Sequence, residues 1–87
     1  MDKLICKAIL EAVNAEIRPL RQLNKIEAEY GNRQFGENFE ALVNAGYIEG
    51  VTFQRADGGT TIWPSLLPKA KLTNKGFAYL RTLVEDK

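Results

Sequence analysis

The chain has no histidine. That absence removes histidine-based triads, the commonest zinc ligand, and the side chain best suited to proton transfer near neutral pH. There is one cysteine, Cys6, and no second thiol to pair with it. A reducing, cytoplasmic setting is the expectation, with Cys6 a small structural residue inside a helix rather than a nucleophile. Charge of one sign is lacking as well. Twelve Lys and Arg against eleven Asp and Glu leave a net charge of +1, so no global field draws the chain towards nucleic acid or an anionic membrane. No apolar run approaches membrane-spanning length, and the first residues carry no long apolar leader segment. Paired carboxylates are missing too, since Glu27 and Glu29 stand two apart on an expected helix and do not share a face. With no nucleophile, base or ligand set in view, the chain reads as a non-enzymatic protein without metal or cofactor.

What is present is enough for one small domain over residues 1–87, whose 45 % hydrophobic content can supply a single core. Residues 2–16 read as a first helix that Asp2 can cap, with Leu4, Ile5, Ala8, Ile9, Ala12 and Val13 along one face. Pro19 breaks it, because the residue before a proline avoids helical geometry. A short second helix is expected over 21–30, with Leu23, Ile26 and Tyr30 inward and Gly31 as its cap. Asn32 is placed to cap a third helix over 33–45, which buries Phe35, Phe39, Leu42 and Val43 and ends at Gly46. Gly36 inside that helix costs on the order of 1 kcal/mol in propensity, which argues for a later start.

Tyr47 to Phe53 then reads as a strand with a bulge near Gly50. Asp57-Gly58-Gly59 reads as a tight turn, and the returning strand ends at Pro64. Pro68 bounds the loop Ser65-Leu66-Leu67, and Ala70-Lys71-Leu72 is long enough for a short extra strand. Thr73 is the N-cap candidate of a last helix, with Phe77, Leu80 and Val84 on its inward face and Tyr79 and Leu83 to the side. The expected fold is α+β, in the order α-α-α-β-β-α: a winged helix-turn-helix.

The stretches Gly46-Tyr47-Ile48-Glu49-Gly50-Val51 and Leu72-Thr73-Asn74-Lys75-Gly76, in that order of elements, resemble the YjcQ family. These are small winged-helix proteins of Gram-positive bacteria and their phages. The resemblance covers nearly the whole chain and departs at residues 64–69. It implies the fold directly and DNA binding by analogy of architecture, with a phage- or prophage-derived regulator as the expected role.

DNA binding requires the third helix in a major groove and donors for base edges and phosphates. Arg33, Gln34, Asn38 and Asn44 are of the right chemical types, whereas Glu37 and Glu40 on the same face repel phosphate. Arg55 at the wing suits a minor groove or a backbone phosphate, and Lys69, Lys71 and Lys75 make the densest basic cluster. Each of these is also what a solvated surface shows. Trp63 reads as core or as a partner contact rather than a base-stacking platform. Leu66 and Leu67, with Tyr79 and Leu83, are candidates for a homodimer or partner surface, since paired half-sites give winged helices contact area that one module lacks. The competing reading is a protein-interaction module that uses the same fold without DNA.

Overall fold

A computed structural model describes residues 2–15, 19–59 and 61–85. The elements run α1 (Lys3–Val13), α2 (Pro19–Tyr30), α3 (Asn32–Asn44), β1 (Ile48–Ala56), a one-turn 3-10 segment (Asp57–Gly59), β2 (Thr61–Leu72) and α4 (Asn74–Glu85). The fold is therefore mixed α+β in the expected order, with a two-stranded antiparallel hairpin as the wing.

The ends of the helices are set by local chemistry. The Asp2 carboxylate accepts from the backbone N–H groups of Leu4 and Ile5, at 2.9 and 3.2 Å, and so caps α1. Pro19 opens α2 instead of standing outside it. At the first helical position its missing N–H is no loss and its fixed φ is already helical. The last turn of the expected first helix, at residue 16, and the break at Ile17 and Arg18 lie outside the described residues. At the end of α3 the N–H of Tyr47 reaches Leu42 O and that of Gly46 reaches Val43 O, both at 3.0 Å, with Gly46 at φ 85°. That pair of bonds turns the chain sharply from helix into wing. Thr73 caps α4 by accepting from the Gly76 N–H at 3.0 Å, while its own hydroxyl donates to Gly46 O at 2.6 Å.

Helix α1 touches α2, α3, α4 and β2, so its burial wraps beyond one stripe. Ile5, Cys6, Ile9, Leu10, Ala12 and Val13 are all buried, Ala8 only partly, and Leu4 is left 72 % exposed. Leu4 thus departs from the face assigned to it. Leu23 and Ile26 of α2, Phe35, Phe39 and Leu42 of α3, Ile48, Val51 and Leu72 of the wing, and Leu83 of α4 complete the core. Phe39 meets Phe35 and Phe53 edge-on, with ring centroids 5.6 and 5.3 Å apart, and joins helix layer to sheet.

Further expectations need correcting. Strand β2 does not end at Pro64: it runs on to Leu72, and Pro64 pairs with Phe53. In a two-stranded sheet both strands are edges, where proline is tolerated. Residues 64–69 are accordingly strand and bulge, and Ala70-Lys71-Leu72 is the far end of β2 and no separate strand. The bulge itself falls where expected, between Glu49 and Val51.

Second, α4 is rotated from the expected face. Gly76, Tyr79, Leu80 and Leu83 face inward, whereas Phe77 and Val84 are about half exposed. The cause is Gly76, where an added Cβ would come within 2.0 Å of the Tyr47 carbonyl oxygen. One turn later the Tyr79 ring stacks on Tyr47, with centroids 4.5 Å apart and planes at 14°.

Third, α3 begins at Asn32 and keeps Gly36 as a buried interior residue. A Cβ there would lie 2.7 Å from Ile62 Cβ, so the glycine is the seat on which β2 docks. Asn32 does not cap α3; that position is Gly31, and Asn32 is committed elsewhere.

Candidate nucleic-acid interface

The register fixes which side of the wing each residue occupies. Pairs Val51–Leu66, Phe53–Pro64 and Arg55–Ile62 alternate with Thr52–Ser65 and Gln54–Trp63. Val51 and Ile62 are buried and Phe53 packs on Phe39, so the first set faces α3 and the second faces away. Asn32 holds the inner side in place. Its Nδ2 donates to Ile62 O at 2.9 Å and its Oδ1 accepts from Ile62 N–H at 2.9 Å, while Nδ2 also meets the Glu27 carboxylate. The two backbone bonds imitate a strand pairing at the open edge of β2.

This docking brings Arg55 to α3. Its guanidinium pairs with the Glu40 carboxylate and donates to Gly59 O at 3.4 Å. Arg33, in the first turn of α3, pairs with Glu37 through Nε at 3.3 Å, with its side chain 84 % exposed. Arg33, Glu37, Arg55, Gly59 and Ile62 line one open hollow of about 270 Å³. Arg33 and Arg55, distant in sequence, therefore share a site at the junction of helix and wing. Each has its own carboxylate, and the exposed Arg33–Glu37 pair is of the kind that contributes only about 0.3–0.5 kcal/mol.

The other candidates separate. Gln34 is exposed beside Arg33. Asn38 is not: its Oδ1 accepts from the Asp2 N–H at 2.8 Å and lies 3.6 Å from Cys6 Sγ, and its Nδ2 donates to Gln34 O at 2.7 Å. Asn38 ties α3 to the start of α1, so the base-reading role expected for it is replaced by a structural one. Asn44 is exposed at the far end of α3, about 16 Å along the axis from Arg33 at 1.5 Å per residue. Lys75 donates to Ala45 O at 2.8 Å and sits 5.0 Å from the centre of the Tyr47 ring. It compensates the carbonyl end of α3 and does not belong with the other lysines. Lys69 and Lys71 line a second hollow on the outer side of the wing, and Lys71 pairs with Glu49 across the strands at 3.4 Å.

The partner-surface residues also divide. Leu83 is 9 % exposed and belongs to the core, so its assignment to an interface is withdrawn. Tyr79 is half-buried against Tyr47, and the same burial pushes its hydroxyl pKa up. Leu66 faces inward on the core, and Leu67 faces out at 51 % exposure.

Burial likewise raises the pKa of the Cys6 thiol, which has no disulfide partner. Among the described residues no group of His, Cys, Asp and Glu could hold a metal ion, and no helix is long and apolar enough to cross a membrane.

Sequence reasoning missed the roles of Asn32, Asn38 and Lys75. Each acts on backbone or side-chain groups roughly thirty or more residues away, which no local pattern encodes. No protein-family model, curated protein or solved structure matches this chain.

Proposed function

We propose that this chain is a winged-helix DNA-binding protein of the YjcQ type, a cytoplasmic regulator of phage or prophage origin. The observation that carries the reading is the convergence of Arg33 and Arg55 on one open hollow between the exposed start of α3 and the wing. Arg33 and Gln34 stand where a helix inserted in the major groove presents its first turn to base edges, and Arg55 lies beside them for a backbone phosphate. The Glu37 and Glu40 carboxylates release the arginines when phosphate replaces them. With a net charge of +1, contact is local and is not driven by a global field.

The test is a fluorescence-anisotropy titration with a generic duplex at about 50 and 200 mM salt. Binding that weakens steeply with salt is expected, with Arg55→Ala lowering the salt slope by about one phosphate contact and Arg33→Ala weakening binding. Absence of binding at the lower salt would sink the reading. The second reading, a protein-interaction module on the same fold, rests on the pairing of both arginines with carboxylates and on the exposure of Trp63 and Leu67. A second copy of the chain is one partner it admits. Sedimentation equilibrium of the wild type beside Leu67→Asp tests that case.

A further inference from the structure

The outer face of the wing carries a chemistry different from the arginine hollow, and no described element covers it. Trp63 and Leu67 point away from α3 and are each 51 % exposed, while Ile62, next along the same strand, is 2 % exposed. The hairpin thus had a buried side available and left its only tryptophan in water. Between Trp63 and Leu67 stands Ser65, and across from them Thr52 and Gln54, all exposed.

The bulge deepens this face. Four residues of β2, Leu67 to Ala70, lie opposite the single Gly50, because Val51 pairs with Leu66 and Glu49 with Lys71. The looped-out segment opens a hollow of about 510 Å³ lined by Glu49, Gly50, Leu67, Lys69 and Lys71. Leu67 is its one large apolar lining residue. Its rim is basic on balance: Glu49 is spent on Lys71, and Lys69 has no carboxylate partner among the described residues. Strand addition along β2 is impeded, since Asn32 occupies both backbone groups of Ile62 and Pro64 and Pro68 have no N–H to give. What docks here uses the face, through side chains.

We propose that the outer face of the wing binds an acidic peptide segment. One apolar side chain of that segment enters the hollow against Leu67, a second rests on Trp63, and a carboxylate pairs with Lys69. An exposed tryptophan beside a hollow is the usual form of an interface anchor, and the unpaired lysine supplies the sign of the partner's charge. Trp63 and Leu67 are four residues apart, or about 13 Å in an extended strand. The partner's apolar residues are therefore separated by a similar span. The surface does not involve α3, so this proposal stands whether or not the arginine hollow binds DNA.

The experiment is selection from a displayed library of random peptides on the intact protein, followed by anisotropy titrations of the enriched sequences made with a fluorescein label. Enrichment of sequences combining Asp or Glu with spaced apolar residues is expected. Trp63→Ser and Leu67→Ser should each weaken their binding by about tenfold or more, and Lys69→Glu should favour peptides in which lysine replaces the acid. Circular dichroism should show all three variants folded, as exposed positions permit. No such enrichment, or equal binding to wild type and variants, overturns the proposal. So does tight binding of a labelled oligothymidine that is lost in Trp63→Ser, which would assign the face to single-stranded nucleic acid.

Discussion

The two faces of the wing are built from the same strands and have opposite fates. On the inner face Val51, Phe53, Ile62 and Leu66 pack towards α3 or the core, and Arg55 reaches Glu40. On the outer face Thr52, Gln54, Trp63, Ser65 and Leu67 meet solvent. Alternation along a strand makes this division possible, but alternation alone does not say which set turns inward. The difference teaches which set of side chains the docking on α3 uses and which it leaves over. The inner face holds the hairpin in one place, and the outer face leaves Trp63 and Leu67 half exposed.

Substitutions that break the inner face should have the largest effects. Phe39→Ala removes the ring that joins α3 to Phe53, at a fully buried position, and should lower unfolding free energy by about 3–5 kcal/mol in urea denaturation. Gly36→Ala offers a sharper test, because propensity and packing disagree in sign. Helix propensity alone predicts a gain of about 1 kcal/mol. The close approach of Ile62 predicts a loss of about 1–3 kcal/mol, the outcome expected here. A raised urea midpoint would mean that the wing shifts aside freely and is not seated on this glycine.

Asn32→Ala should cost about 1–2 kcal/mol by leaving the Ile62 N–H and C=O without partners. Hydrogen exchange at the Ile62 amide should quicken, and unchanged protection would remove Asn32 from the docking of the wing. The smallest effect belongs to the outer face. Trp63→Ser should lower stability by only about 1 kcal/mol, because half of the residue is already in water. A loss comparable to that of Phe39→Ala would erase the distinction between the faces.

Much of the fold was legible because it rests on short-range chemistry. Asp2 and Thr73 cap the helices that follow them, Gly46 closes α3, and Asp57-Gly58-Gly59 makes the turn. The candidate site was legible only in part. Arg33 and Arg55 were identified by residue type, yet their meeting depends on the hairpin folding back onto α3. Lys69, Lys71 and Lys75 look like one cluster in sequence and are two groups in space. Lys69 and Lys71 line the hollow of the wing, whereas Lys75 reaches back to Ala45.

The sequence by itself determined the order of elements, the caps of α1 and α4, the turn, the position of the bulge and the absence of histidine chemistry, since each depends on residues a few positions apart. The tertiary structure alone decided the rest. It turned α4 onto Tyr79 and Leu83 through the contact of Gly76 with Tyr47, and it took Asn38 and Lys75 for anchoring. It also carried β2 through Pro64 and left Trp63 outside. The physical reason is common to all of these. Side-chain orientation relative to the core is fixed by close contacts between segments far apart in the chain, and a periodic pattern constrains such contacts without choosing among them.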